Sequence, residues 1–171
     1  LTTRSCVPRF NTTLGWYRRS PELLARWSEA NAFSPLLRTH EGNQPWNNVQ
    51  PWTNTEAIRD FVRATKMHAA LAPYLKHISA EAQSTGLAMM RPFCLTKPEP
   101  RWRNKKDAWY LGNGLLVFPV LKPGLTRLKV EIPEGGWIHL FSGNKFRAGS
   151  HMVACPLGQP PIFYRQETTF Q

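Results

Sequence analysis

Residues 53–90 decide the fold class, and they read TNTEAIRDFVRATKMHAALAPYLKHISAEAQSTGLAMM. The segment opens with a capping-box pattern at 53–56, which predicts the start of a helix. An apolar stripe at helical spacing follows, at Ile58, Phe61, Val62, Thr65, Ala69, Ala72, Leu75 and Ala82. Pro73 predicts a kink or two consecutive helices, and Gly86 suits a helix C-terminus. Residues 87–90 then indicate a buried strand, and a helix followed by a short apolar strand is what a parallel α/β barrel requires.

A second helix is predicted upstream, where the sequence reads Ser20-Pro21-Glu22. Ser20 can cap free amides, Pro21 suits the first helical position, and Glu22 favours the positive end of the helix dipole. The apolar positions then repeat at helical spacing, at Leu23, Leu24, Trp27 and Ala30. A loop rich in Pro, Asn and Trp follows over about residues 34–52, and long ordered loops of this kind are often functional.

The pattern changes near residues 95–108, and from there onward the sequence predicts only β-strands. Leu115–Phe118 is a continuous apolar run, typical of a buried strand. Apolar and polar residues alternate around Val130, which predicts a half-buried strand. Further runs that can complete a small sandwich lie at 137–141, 152–155 and 162–164. Three residues are expected in the core or at the junction of the two parts: Tyr74, Arg91 and Trp137.

The chain of 171 residues carries a formal net charge of +11, which raises the question of a nucleic-acid partner. Phosphate binding needs clustered Lys and Arg, and the one dense cluster is Arg101–Lys106. It directly follows Pro98-Glu99-Pro100, which is typical of a solvated loop. We therefore predict no nucleic-acid partner, and nucleic-acid binding stays the least favoured alternative.

Membrane, metal and cofactor sites are not predicted. Every apolar run is far shorter than a membrane span, and the first residues have no apolar signal-peptide core. A cytoplasmic location is therefore favoured, although the first residue, Leu1 rather than Met, suggests an incomplete chain. The three cysteines, Cys6, Cys94 and Cys155, lie too far apart for a zinc knuckle, and no Gly-rich phosphate loop occurs.

Two consecutive segments carry a resemblance to a known family. Residues 19–27 read RSPELLARW, and residues 32–43 read AFSPLLRTHEGN. This order resembles glycoside hydrolase family 31, in which a helix with the pattern R-S-x-E-L-x-x-R-W leads to A-F-x-P-x-x-R-x-H. Further matches follow in the same order at 73–75, 86–93, 111–120, 132–137, 141–143 and 161–165. The resemblance covers about residues 12–166.

The resemblance implies a fold and a mechanism. Residues 1–98 would form the C-terminal part of a (β/α)8 barrel, and residues 99–171 a small antiparallel β-sandwich. The resemblance to this family implies a retaining α-glycosidase mechanism. In that mechanism two carboxylates about 5–5.5 Å apart act as nucleophile and acid/base. Both are Asp in the family and precede the matched part, and neither Asp60 nor Asp107 matches their motifs. We therefore expect the isolated chain to lack both catalytic carboxylates, to be inert and to be only marginally stable.

The branch of the family is a separate expectation. Residues 12–14, 38–43 and 158–165 look most like the sulfoquinovosidases, which cleave α-glycosides of a sulfonated glucose, with α-glucosidases or α-xylosidases as the alternative. One departure lies at residues 5–11, which read SCVPRFN where the family has S-D-I-G-G-Y. Asn11 stands where sulfoquinovosidases carry a Tyr that contacts the sulfonate, so the sugar stays open.

The resemblance also names candidate site residues for a carbohydrate partner, an α-glycoside. His40 is the first candidate, because the equivalent family His hydrogen-bonds hydroxyls of the bound sugar, and imidazole can both donate and accept. Arg38 is a weaker candidate, with fixing the loop as its favoured role. Trp46 and Trp52 could stack on a sugar face or pack within the loop, and Glu41 is interpreted as an ion-pair partner. A non-catalytic carbohydrate-binding or structural remnant is the alternative function.

Overall fold

The computed structural model describes residues 19–39 and 45–167. The helices are α1 (Pro21–Ala32), α2 (Thr55–Ala70), α3 (Ala72–Thr85) and α4 (Phe93–Thr96). The strands are β1 (Met90–Pro92), β2 (Trp109–Leu111), β3 (Leu115–Val117), β4 (Arg127–Ile132), β5 (Trp137–His139), β6 (Lys145–Phe146), β7 (Gly149–Ala154) and β8 (Ile162–Arg165). Short 3-10 turns lie at Pro45–Asn47 and Pro100–Trp102.

The helix ends follow from local hydrogen bonds. Ser20 Oγ accepts from the Leu23 amide at 3.1 Å, so it caps α1 as expected. At α2 the cap is Asn54, whose Oδ1 accepts from the Ala57 amide at 2.8 Å, one residue later than the start of the capping-box pattern. Leu71 separates α2 from α3, and Pro73 lies in the first turn of α3, directly after its first residue Ala72, which confirms two consecutive helices. Gly86 ends α3 with a φ of 74°, the left-handed conformation that glycine adopts without strain.

Two antiparallel sheets form the C-terminal part. The larger sheet has six strands in the order β1-β2-β3-β8-β5-β6, and the smaller one pairs β4 with β7. Side chains alternate between the two faces of the larger sheet, because successive residues of a strand point to opposite sides. Tyr110 and Leu116 therefore enter one core, whereas Leu111 and Leu115 enter another.

Each face of the larger sheet is covered by a different layer. One core lies between the two sheets and contains Val130 and Val153 from the smaller sheet together with Trp137. The other lies between the larger sheet and the helices and contains Phe33, the residue directly after α1, and Ile78 of α3. Full burial of such side chains stabilises the fold by about 1.5–3 kcal/mol each. Burial on both faces explains why β3 is apolar at every position.

The strand predicted at residues 87–90 is wrong in position and partner. The chain enters β1 only at Met90, which lies opposite Leu111 in an antiparallel pair with β2. The Gly112 amide donates to the Met89 carbonyl at 2.7 Å, so the residue before β1 is also tied to this pair. Every strand pair within the described ranges is antiparallel. The segment therefore serves as the edge of the sandwich sheet and not as a parallel barrel strand.

No helix in the described part has both the length and the apolar composition that crossing a membrane requires.

The basic cluster Arg101–Lys106 has a buried aromatic residue at its centre. Trp102 is fully buried in the core between the sheets. The Arg101 guanidinium lies 5.0 Å from the centre of the Trp102 ring, and Lys105 pairs with Asp107 at 2.9 Å. The cluster thus anchors its loop to the sandwich core as well as exposing charge.

His139 is a titratable group inside the sandwich. It is 5% exposed, its Nδ1 lies 2.9 Å from Ser142 Oγ, and Phe163 and Phe146 pack against the ring at 5.3 and 6.3 Å. Burial disfavours the charged imidazolium and lowers the pKa of His139 below its ordinary value of 6.5.

This pKa shift predicts a loss of stability in mild acid. The unfolded chain binds a proton on His139 at a higher pH than the folded protein does, so the free energy of unfolding falls as the pH drops below about 6.5. His139→Gln should flatten that part of the profile, measured by urea denaturation between about pH 8 and about pH 5. His77→Gln, on the exposed surface of α3, is the control and should keep the wild-type profile. Equal slopes in wild type and His139→Gln would contradict the prediction.

Candidate functional site

Arg19 fastens the end of the long loop to the beginning of α1. Its amide donates to Asn48 Oδ1 at 2.8 Å, its Nε to the Val49 carbonyl at 2.7 Å, and its Nη2 to Gln50 Oε1 at 2.9 Å. The Val49 amide donates back to the Arg19 carbonyl at 3.1 Å. Arg19, Asn48 and Gln50 are all buried. A satisfied buried network of this kind gives the loop a defined conformation.

Two charged side chains join α1 to the β-sandwich. Arg26 Nη2 donates to the carbonyls of Leu125 and Cys155, both at 2.8 Å. One turn earlier, Glu22 Oε1 accepts from the Gly124 amide at 2.7 Å near the surface. The partners lie on segments flanking β4 and β7, so α1 is held against the smaller sheet as well as the larger one.

Glu29 completes this junction. Its Oε2 lies 3.0 Å from Arg26 Nη1, and the two side chains are only 5% and 6% exposed. Its other oxygen accepts a hydrogen bond from the Gly158 amide. Burial raises the pKa of the Glu29 carboxyl, and the Gly158 amide and Arg26 oppose that rise because both stabilise the carboxylate.

A second junction holds the turn between β2 and β3. Tyr74 Oη donates to the Leu111 carbonyl at 2.7 Å and accepts from the Gly114 amide at 3.0 Å. Arg91 Nη1 donates to Asn113 Oδ1 at 2.6 Å. Helix α3 is thereby fixed to the larger sheet by polar contacts as well as by packing.

The loop leaves its candidate binding groups exposed. Trp46, in the 3-10 turn, is 80% exposed, and Trp52 is 72% exposed, so neither ring is packed within the loop. Arg38 is also exposed and bonds to no other residue of the described ranges. Within the described residues, Arg19 makes the bonds that hold the end of the loop, and the role expected of Arg38 stays a prediction. His40 and Glu41 lie outside the described residues.

The two aspartates have ion-pair partners close in sequence. Asp60 Oδ1 lies 3.8 Å from Arg59 Nε on α2, and Asp107 Oδ1 lies 2.9 Å from Lys105 Nζ before β2. Within residues 19–39 and 45–167, no group of three or more His, Cys, Asp or Glu side chains could hold a metal ion. The described surface can thus stack on a ligand and donate hydrogen bonds through Arg38 and the two indoles.

Models of one family match nearly the whole chain. The model of the glycosyl hydrolase family 31 TIM-barrel domain matches residues 6–78, and that of the family's C-terminal domain matches residues 86–169. The chain belongs to glycosyl hydrolase family 31. The predicted fold class, the end of a barrel followed by a small antiparallel sandwich, is confirmed for this family 31 chain.

Several family 31 proteins of known activity are similar to the chain. A sulfoquinovosidase of Agrobacterium fabrum is 42% identical over 88% of the chain, and one of Escherichia coli is 40% identical over 92%. A solved sulfoquinovosidase structure from E. rectale, in complex with an aza-sugar inhibitor, covers 90% of the chain with a TM-score of 0.85 and 30% identity. The chain spans 23% of the length of each of these three relatives.

Sequence reasoning missed the residues that build the junction. Arg19 and Arg26 both lie in the segment RSPELLARW that carried the resemblance, but no role was predicted for either. The Arg26–Glu29 spacing of one helical turn was an available signal. Their partners at 48–50, 125 and 155 are far away in the sequence, so the contacts themselves could not be read from it.

Proposed function

We propose that this family 31 chain is the C-terminal part of a retaining α-glycosidase that hydrolyses O-glycosidic bonds, of the sulfoquinovosidase or α-glucosidase type. Its contribution is a sugar-binding loop, and both catalytic carboxylates lie elsewhere in the longer protein. The observation that carries the proposal is 42% identity to a sulfoquinovosidase over 88% of the chain.

The loop anchored by Arg19 supports this division of roles. Barrel enzymes build their substrate sites from loops at the carboxyl ends of the strands. Arg38 and Trp46 lie exposed on this loop and suit hydrogen bonding and stacking against a sugar ring. His40, between them in the sequence, is proposed to bind hydroxyls of the sugar in the cleavage subsite. The chain spans 23% of the length of each of these two relatives, so the catalytic pair can lie in the part of a longer protein that the chain does not include.

The first test compares the isolated chain with a chimera. The isolated chain is expected to hydrolyse neither para-nitrophenyl α-sulfoquinovoside nor para-nitrophenyl α-glucoside, because it contributes no nucleophile and no acid/base group. A chimera in which residues 19–167 replace the corresponding part of the Agrobacterium fabrum sulfoquinovosidase should hydrolyse one of the two. Hydrolysis of either para-nitrophenyl glycoside by the isolated chain would contradict the proposal.

His40→Ala in the chimera should lower kcat/KM by about 10- to 100-fold, as expected when a hydrogen bond to the reacting sugar is lost. Steady-state kinetics with the preferred substrate provide the measurement. His77→Ala, on the exposed surface of α3, is the matched control and should leave kcat/KM unchanged. An unchanged kcat/KM for His40→Ala would remove His40 from the site.

The exposure of Trp46 and Trp52 favours a second candidate, carbohydrate binding without cleavage. Sugar faces stack well on open indole rings. Isothermal titration of the isolated chain with sulfoquinovose and with glucose tests it. Binding that is lost in Trp46→Ala supports the candidate, and no heat at millimolar sugar contradicts it.

A further inference from the structure

The turn between β2 and β3 consists of Gly112, Asn113 and Gly114. Leu111 pairs with Leu115, so these three residues form the whole loop of the hairpin. Asn113 is exposed, whereas Gly114 is buried. In the full sequence Asn113 is the one asparagine that a glycine follows. The turn therefore carries a pair of residues with a chemistry of its own.

An asparagine before a glycine can lose its side-chain amide to the next backbone nitrogen, and asparagine counts among the thermolabile residues for this reason. The Gly114 nitrogen forms a bond to Asn113 Cγ, and the bond from Cγ to Nδ2 breaks. Nδ2 leaves as ammonia together with the proton of the Gly114 amide, and a cyclic succinimide remains. Water then opens the ring at one of its two carbonyls and gives aspartate or isoaspartate. Glycine favours the attack because it has no Cβ to hinder the approach.

Two buried side chains hold the reacting groups on separate partners. The Gly114 amide donates to Tyr74 Oη at 3.0 Å, and Arg91 Nη1 donates to Asn113 Oδ1 at 2.6 Å. Tyr74 and Arg91 are only 6% and 2% exposed. The attack requires loss of the Gly114 amide proton and a rotation of the Asn113 carboxamide. The contact with Tyr74 opposes the first, and the contact with Arg91 opposes the second.

Both partners are themselves fixed by further contacts. Tyr74 Oη also donates to the Leu111 carbonyl at 2.7 Å. Arg91 Nε donates to the Ala88 carbonyl at 2.8 Å, and its Nη2 lies 2.9 Å from Glu81 Oε2. Helix α3 supplies Tyr74 and Glu81. The conformation of the turn therefore depends on the docking of α3 against the larger sheet.

We propose that Asn113 is a deamidation site that the docked helix α3 keeps unreactive. When α3 separates from the turn, the Gly114 nitrogen attacks and the chain is modified irreversibly. An aspartate product keeps a charge-assisted hydrogen bond to Arg91. An isoaspartate product lengthens the main chain of the loop by one carbon and disturbs the pairing of Leu111 with Leu115. The modification thus records that the junction between α3 and the larger sheet has opened.

The test follows conversion at Asn113 by peptide mass spectrometry while the 171-residue chain is kept in mildly alkaline buffer. The folded wild type should react about tenfold more slowly than the same chain in urea, or slower still, because only locally opened molecules react. Tyr74→Phe removes the hydroxyl that the Gly114 amide and the Leu111 carbonyl share. Conversion in this folded variant should be about 5- to 100-fold faster than in the folded wild type.

Two controls separate local opening from a general loss of stability. Val153→Ala weakens the core between the two sheets, on the other side of the larger sheet from α3, and should leave the rate at Asn113 unchanged. Asn144 is exposed in the turn before β6 and is followed by Lys145. It should react far more slowly than Asn113 in urea, because the lysine side chain hinders the attack.

A second variant covers the case in which Tyr74→Phe does not fold. Arg91→Lys keeps the positive charge but loses the planar fork that reaches Asn113 Oδ1, so it should also accelerate conversion in the folded chain. Equal rates in the folded and the urea-unfolded wild type would overturn the proposal. So would a folded Tyr74→Phe that reacts no faster than Val153→Ala, or an Asn113 that stays unmodified in urea. No glycoside enters these measurements, so their outcome is independent of the proposed function.

Discussion

Arg26→Ala is expected to lower the free energy of unfolding by about 3–5 kcal/mol, the range for removing one partner of a buried ion pair. The substitution leaves the Glu29 carboxylate buried without its counter-charge. It also removes the donor to the carbonyls of Leu125 and Cys155, which join α1 to the sandwich. Urea denaturation followed by tryptophan fluorescence measures the loss.

The loss in Arg26→Ala should also depend on pH in a defined direction. Burial already raises the pKa of Glu29 above its ordinary value of 4.5, and removing Arg26 raises that pKa further. In the unfolded chain the Glu29 carboxyl loses its proton at a lower pH than it does in the folded variant. The destabilisation caused by Arg26→Ala therefore grows as the pH rises above about 4.5. Arg59→Ala, a substitution of an exposed arginine on α2, is the control. Equal losses for the two variants at neutral pH would contradict the role assigned to Arg26.

Gly112→Ala is the second substitution with a large expected effect. The added Cβ would lie 2.5 Å from Tyr74 Oη and 2.6 Å from Ile78 Cγ2, in the turn that the two helical side chains hold. Such overpacking costs about 1–3 kcal/mol. Gly112 also has a φ of 57°, and the left-handed conformation costs an L-residue about 1–2 kcal/mol more. The two terms together predict a markedly lower midpoint in thermal denaturation.

Gly86→Ala separates the cost of overpacking from the cost of the left-handed backbone conformation. Gly86 has a similarly positive φ of 74°, but a Cβ at that position would meet nothing within 4 Å. This variant should therefore show only the backbone cost, and Gly112→Ala should be clearly less stable. If the two variants melt together, the contact of Gly112 with Tyr74 and Ile78 is not what requires glycine there.

The helices and the division of the chain could be predicted because their signals are local. Ser20 accepts from an amide three residues away, and Pro73 and Gly86 act on the residues beside them. The alternation around Val130 likewise reports the two sides of one strand. The prediction of a parallel barrel strand at residues 87–90 was wrong because a short apolar run does not show whether its partner strand is parallel or antiparallel.

The candidate site was only partly accessible to sequence reasoning. The family pattern pointed to the loop that carries Arg38 and Trp46, and the structure places both on its exposed surface. The family pattern did not reveal that Arg19 holds the loop, because its three hydrogen bonds to the loop reach residues about thirty positions further along the sequence. A hydrogen bond between distant segments depends on the packing of the whole chain.

By itself, the sequence determined family membership, the order of helices before strands, and the cap residues Ser20 of α1 and Gly86 of α3. Only the tertiary structure decided that Met90 begins an antiparallel edge strand and that Arg26 and Glu29 lock α1 to the sandwich. The physical reason is the distance along the sequence over which each kind of interaction acts. Caps and alternation depend on neighbours within one or two turns, whereas burial, ion pairing and strand partners depend on segments that only folding brings together.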